Sequence, residues 1–485
     1  MKILLVYPSW TGQYGIWAHF GRRQGTWPPL NLALLAAILE REGHEVEIID
    51  AEAERLSEEK TINKCLEVKP DVVGLSGMSP FFHLSKNIVE GVKQSNKDIV
   101  TIIGGPHMTI MQEKALFPFL DYGFIGEVEH TLPEFFEVME KDGDLKNVKG
   151  LIYRNNGDII NTGKPSLENR VLSTLPYPAR HLLNMKNYHM GTLRGRLPFT
   201  SIQGMRGCPW KCIFCASEAL DTTVVSHSSS KRVVDEIEQV ISNFGIRHFY
   251  FIDEVLTLNK PYISGICDEI IERELDITFE GATRANQLNE PLVEKMKEAG
   301  LIRLAFGLET VDPGMREKMQ KKVPLKYYTE YNKLLNKYNI ECLNSVMLGL
   351  PGETRQTINK TLDWLAKAKE VKQANFAIAV PYPGTEFHDM AVSGDHDLSL
   401  ISSDWAQYRR YGSAVTQVGN LSPEDLVELQ NEGFVKIYSA SHRWKSVLTK
   451  HGIVGGLLML LRVLILIIRR WKKSYKPFDV HPNLE

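Results

Sequence analysis

Short apolar runs alternate with stretches of helical period along most of this chain. In the first 145 residues the runs are Ile3–Tyr7, Val46–Ile49, Val72–Leu75, Val100–Ile103 and Tyr122–Ile125. Between them, Leu30–Arg41 and Leu84–Lys93 place apolar residues at helix spacing, and Gly43 follows the first as a stop. Strands that are apolar throughout, separated by helices, predict a parallel sheet covered on both faces. The expected fold is a doubly wound α/β domain, Rossmann or flavodoxin-like, over residues 1–145. Such sheets bind ligands beyond the carboxyl ends of their strands. The glycine and small polar turns fall there: Ser76-Gly77-Met78-Ser79, Gly104-Gly105-Pro106-His107 and Gly126-Glu127.

Residues 146–195 read as a linker with one hairpin. Asn155-Asn156-Gly157 separates Leu151–Arg154 from Ile159–Asn161, and Leu175-Pro176-Tyr177-Pro178 is extended. The strand–helix alternation resumes over 196–390, with strands expected at Thr200–Gln203, His248–Ile252, Thr278–Ala282, Leu304–Leu308, Cys342–Met347 and Phe376–Val380. Six β/α units predict a partial TIM-like barrel with its chemistry at the carboxyl ends of the strands. Residues 391–485 form a less regular, mostly helical extension. It ends in the apolar run Ile453–Ile468, broken by Gly455, Gly456 and Arg462, and then in Arg469, Arg470, Trp471, Lys472, Lys473, Tyr475 and Lys476.

Composition narrows the class. A chain of 485 residues is too long for one core. Its 43% apolar and 24% charged content is that of a soluble globular protein, and a net charge of −2 argues against nucleic acid as a partner. Six cysteines without a pairing pattern fit a reducing cytoplasm, and Lys2-Ile3-Leu4-Leu5-Val6-Tyr7 has no signal-peptide shape.

Three of those cysteines, Cys208, Cys212 and Cys215, fall within eight residues directly after the first barrel strand. A zinc site wants four ligands, and only His227 follows closely. A disulfide would strand the third thiol. A 4Fe–4S cube takes one cysteine per iron, so three leave one iron open to a small molecule.

This C-x3-C-x2-C loop resembles that of the radical S-adenosylmethionine (SAM) superfamily, whose open iron chelates the amino and carboxylate groups of SAM. The resemblance covers about 200 residues and implies further roles. Phe214, before the third cysteine, would pack near adenine. Asp253, in Phe251-Ile252-Asp253-Glu254, would border the SAM pocket. Arg284 would meet the SAM carboxylate, for which a guanidinium is a bidentate match. Gly307-Leu308-Glu309-Thr310 resembles the fourth-strand motif, with Glu309 on SAM hydroxyl or amino groups. Gly349-Leu350-Pro351-Gly352-Glu353 and Pro381-Tyr382-Pro383-Gly384-Thr385 resemble the next two turns. Taken singly, Glu309 reads equally as a helix cap, Arg284 as a surface ion pair and the Pro-Gly turns as punctuation. Their order after the cysteines gives them weight.

A doubly wound domain ahead of such a barrel resembles the cobalamin-binding radical SAM enzymes. The resemblance rests on Pro28-Pro29-Leu30-Asn31, Gly43-His44-Glu45-Val46, Gly104-Gly105-Pro106-His107 and Gly126-Glu127-Val128-Glu129-His130-Thr131. It implies that Gly104 and Gly105 admit the corrin or its tail, that Ser76 and Ser79 bond the tail, and that His107 touches corrin or tail. The turn Pro8–Gly15 has no Asp-x-His-x-x-Gly, so it offers no histidine to cobalt, and Val128 replaces a customary glycine. A domain that keeps the fold without the corrin stays open. A methylthiotransferase is excluded, because that class needs three N-terminal cysteines and only Cys65 is present.

The expected function is C-methylation of an unactivated carbon. A reduced cluster cleaves SAM to methionine and a 5′-deoxyadenosyl radical, the radical abstracts hydrogen, and methylcobalamin donates the methyl group. The alternative is an oxidative cyclase of the anaerobic magnesium-protoporphyrin monomethyl ester type, with a non-enzymatic Fe–S carrier or sensor ranked below. Expected partners are a small-molecule or lipid-like substrate and a reductase, flavodoxin or ferredoxin as electron donor. Residues 453–476 read either as an anchor at the inner membrane face or as a core helix, since a run of sixteen residues falls short of the roughly twenty that span a bilayer.

Overall fold

The computed structural model describes residues 1–11, 25–166, 172–192, 195–220 and 223–443. The tail 453–476 and Gly12 to Gly15 of the first turn lie outside the described residues. The chain divides into two compact units. One contains Met1–Gly191, Arg196–Gly207 and Ser217–His248; the other contains Cys208–Ala216 and the residues from Phe249 onward.

In the first unit a seven-stranded sheet runs in the order Glu45–Asp50, Lys2–Tyr7, Val72–Ser76, Val100–Gly104, Tyr122–Phe124, Leu151–Asn155, Asp158–Asn161. The first five strands are parallel, and in chain order they read 2-1-3-4-5. This is the flavodoxin-like doubly wound order, whose switch point falls between strands one and three. Successive residues of Lys2–Tyr7 feed opposite faces. Ile3 and Leu5 pack with Leu32, Ala36 and Phe136, while Leu4 and Val6 pack with Val73, Ile88 and Val92. Both faces are thus dry, which is why the strands are continuously apolar. The hairpin Leu151–Asn155/Asp158–Asn161 pairs antiparallel onto Tyr122–Phe124 and extends this sheet. Its turn residues Asn156 and Gly157 both have positive φ, 52° and 90°, as a two-residue hairpin turn requires.

The second sheet has six strands in chain order: Thr200–Ile202, His248–Phe251, Thr278–Thr283, Leu301–Glu309, Glu341–Leu348 and Gln373–Ile378. The last four pair in parallel. Helices follow the strands, among them Ser230–Phe244, Lys260–Glu272, Leu325–Lys337 and Arg355–Lys367. Phe249, Phe251, Phe279, Phe306 and Phe376 are fully buried in its core.

Beyond residue 391 a short antiparallel pair, Leu398–Leu400 with Thr416–Val418, precedes the helix Pro423–Tyr438. Arg443 closes the described chain and is fully buried. Its guanidinium donates to the carbonyls of Leu365, Ala366, Ala368, Val371 and Ile437. Among the described residues no helix is long and apolar enough to cross a membrane.

Candidate functional site

The loop Cys208–Ala216 is fixed at its middle. Ile213, 3% exposed, donates its backbone N–H to Met319 and accepts from Phe387, at 3.4 and 3.0 Å. Cys215 N–H donates to the Cys212 carbonyl at 2.9 Å, which curls the last three residues into a turn. Ahead of the loop, Gly207 has φ +103°, and a side chain there would collide with the backbone of Val224. Only glycine admits that approach. All three cysteines are half-buried, and no described cysteine is in a disulfide.

The donor chemistry of the loop fits a cluster. Burial pushes the Cys208 and Cys212 thiols up, against the pull of Arg284 and, at Cys212, of Lys321. Metal binding displaces such protons, and cations beside the loop suit the negative charge that thiolates bring. Among the described residues no three His, Cys, Asp or Glu side chains gather as around a single ion; a cube takes its thiolates one to an iron.

Two strand-end residues reach this loop, Arg284 directly and Glu309 through Lys321. Arg284 follows Thr278–Thr283, 8% exposed, with its guanidinium 4.1 Å over the Trp210 ring and Nη1 3.7 Å from Cys212 Sγ. Its Nε is buried without a partner, as is Oδ1 of Asn286 two residues on. A buried guanidinium with an idle N–H is what an incoming carboxylate would satisfy. Asp253, after His248–Phe251, is 2% exposed. Glu309 ends the fourth strand at a register shift, with φ +59°. Its Oε1 accepts from Lys321 Nζ at 2.6 Å. Lys321 also lies 5.8 Å over the Phe214 ring. Gly307 leaves room for this pair, since a side chain there would collide with both Lys321 and Glu309.

Sequence reasoning missed Lys321. It stands beside Lys322, which pairs with Glu317 at the surface, and nothing local separates the two. Burial pulls Lys321 down, but Glu309 and its neighbours outweigh it and the ammonium is held above the ordinary lysine range. Trp210 was missed as well, although its place between two cluster cysteines was a usable signal.

In the first unit the glycine turns meet at the switch-point end of the sheet. Gly77 N–H donates to the Gly104 carbonyl at 2.9 Å, and His107 N–H to the Gly77 carbonyl at 3.0 Å. Gly105 has φ +99°, and a Cβ there would lie 2.9 Å from Ser76 Oγ. Asn31 Nδ2 donates to Ser76 Oγ at 3.4 Å. His107 is 3% exposed, with Nδ1 3.1 Å from Ser79 Oγ and its ring 4.2 Å from Phe82. Burial pushes it down to about 4, so the ring is neutral at ordinary pH. Glu52, also missed, accepts from the backbone N–H groups of Trp10 and Thr11 at 2.9 and 3.0 Å and so fixes the turn after the first strand.

Known proteins match both halves. The B12 binding domain family matches residues 17–136, and the Radical SAM superfamily matches residues 202–365. The uncharacterized methyltransferase PH0819 of Pyrococcus horikoshii is 30% identical over 441 residues, covering 90% of this chain and 92% of that protein. The anaerobic magnesium-protoporphyrin IX monomethyl ester cyclase of Rubrivivax gelatinosus is 27% identical over 397 residues, covering 79% and 68%. The structure of the radical SAM methyltransferase TsrM from Kitasatospora setae, with cobalamin and a 4Fe-4S cluster bound, matches with a TM-score of 0.72 at 17% identity, covering 98% of this chain and 100% of that one. At that identity the likeness speaks for the fold. With the cysteine loop at the end of the first barrel strand and a flavodoxin-like sheet ahead of it, the chain belongs to the radical SAM superfamily, among the members that carry a B12-binding domain.

Proposed function

We propose that this chain is a cobalamin-dependent radical SAM enzyme that methylates an unactivated carbon of a small, hydrophobic or lipid-like molecule. The observation that carries the reading is near full-length similarity to a methyltransferase together with the three-cysteine loop. Bound together, the cluster and SAM supply a carbon-centred radical by one-electron cleavage of the sulfonium, and the corrin supplies a transferable methyl group.

The chain's own residues bind and orient. Cys208, Cys212 and Cys215 would each hold one iron of the cluster. Arg284, braced on Trp210, offers its idle N–H to the SAM carboxylate. Glu309, paired with Lys321, would accept from a SAM hydroxyl, and Phe214 would pack near adenine. Asp253 borders the same pocket. On the corrin side, Gly104 and Gly105 let a flat ring or its tail reach the backbone, while Ser76, Ser79 and neutral His107 line that approach. The proposed division assigns 1–145 to corrin, 196–390 to the barrel and 391–485 to the extension, with 146–195, whose hairpin joins the first sheet rather than linking freely, between them. A flavodoxin- or ferredoxin-class donor supplies electrons in the cytoplasm, and residues 453–476 touch the membrane surface from the inner face.

Anaerobically reconstituted protein tests the reading. Visible spectra are expected to report both cluster and corrin, and dithionite with SAM is expected to release 5′-deoxyadenosine. No cleavage from a loaded cluster would overturn the enzyme class; no corrin uptake would overturn the methylation. The similarity to the cyclase supports a second reading, oxidative ring closure. SAM with a deuterated methyl group separates the two, because only methylation carries the label into product. Flotation with liposomes of the full chain and of a truncation after Ser446 tests the tail: if both stay in solution, the anchor is wrong.

A further inference from the structure

Arg206 stands two residues before Cys208, in the short strand Met205–Arg206 that pairs with Ser226–His227. Its Nη1 lies 2.5 Å from Glu129 Oε1 and 3.6 Å from Glu127 Oε2, and its Nε donates to Gln203 Oε1 at 2.9 Å. The side chains of Arg206 and Glu129 are only 12% and 11% exposed, so water screens the pair weakly. Glu127 and Glu129 belong to the Gly126–His130 turn, within the span matched by the B12 binding family. That turn is itself fixed. Gly126 N–H donates to Thr109 Oγ1 at 3.1 Å, and Gly126, at φ +78°, leaves no room for a side chain against Pro165. On the other side, Gly207 is wedged against the Val224 backbone.

We propose that Arg206 and Glu129, with Glu127 in support, form a positioning clasp that ties the corrin-side turn 126–130 to the residue from which the cluster loop departs. Neither carboxylate is needed for iron binding, and neither belongs to the SAM-facing set above. The purpose of the clasp rests on the proposed function, in which corrin and radical must act on one carbon. Its existence as a coupling does not rest on that reading.

Hydrogen exchange on the full-length protein without cofactors, followed by mass spectrometry, tests it with no turnover required. In Glu129→Gln, amides of 203–213 are expected to exchange about tenfold faster, though the change lies 74 or more residues away in sequence. In Arg206→Gln, amides of 126–131 are expected to quicken in the same way. Arg206→Lys keeps the charge and is expected to restore part of the protection at both sites. Unchanged exchange in Leu301–Glu309 controls for misfolding, and if Arg206→Gln fails that control, Glu129→Gln with Arg206→Lys still decides. Effects confined to the mutated segment in each variant would overturn the proposal. Titration of the wild type with hydroxocobalamin separates the two ideas: absence of corrin binding refutes the proposed function, and the exchange result alone decides the clasp.

Discussion

Glu353 gives the sharpest test of the energetics. It sits in the turn after Glu341–Leu348, 3% exposed. Its Oε2 accepts from the backbone N–H groups of Gly349 and Leu350 at 2.8 and 3.1 Å, while Oε1 is buried without a partner. Burial pushes this carboxyl up to about 8, against the two N–H bonds and with some help from Asp312. The folded protein therefore keeps a proton that the unfolded chain loses near 4.5. Between those values the native state binds more protons, so stability falls as pH rises, by about 1.4 kcal/mol per pH unit. Across the shift from 4.5 to about 8 this amounts to about 5 kcal/mol at most. Glu353→Gln keeps an oxygen for both N–H groups and cannot ionise. Thermal unfolding of wild type and variant without cofactors, from pH 5 to 8.5, is the assay. The two are expected to melt close together at pH 5 and to separate toward pH 8, the variant higher by about 10 °C at 2–4 °C per kcal/mol. A gap that does not change with pH would refute the buried, protonated carboxyl.

Three other outcomes follow. Lys321→Met leaves Glu309 buried without its cation and is expected to cost about 3–5 kcal/mol, read as a lower melting temperature, with weaker SAM binding in equilibrium dialysis; because the lysine is held above its ordinary value, its own contribution is whole below about 10.5 and fades as pH rises beyond that. Gly105→Ala forces a side chain into φ +99° against Ser76, at about 1–3 kcal/mol, and is expected to weaken hydroxocobalamin binding tenfold or more in a spectral titration. Cys215→Ala is expected to lose cluster iron and all 5′-deoxyadenosine release while keeping corrin uptake, which iron assay and spectra check together.

The architecture of the first sheet was legible because it is buried on two faces. Runs such as Ile3–Tyr7 and Val72–Leu75 could be nothing but inner strands, and their ends fell within a residue or two of those observed. The cysteine loop was legible because its spacing is local. What stayed hidden depends on partners far away in sequence. Lys321 differs from Lys322 only through Glu309, twelve residues earlier. Glu52 reads as one more helix acid until the first turn folds onto it, 41 residues back. Arg206 gave no signal at all, because Glu129 lies 77 residues upstream.

Arg443 carries a practical corollary. One guanidinium collects carbonyls at the ends of two helices, Arg355–Lys367 and Pro423–Tyr438, where backbone oxygens carry partial negative charge. It works as a terminal rivet for the barrel. A truncation that removes Arg443 would leave those carbonyls without their donor and loosen both helix ends.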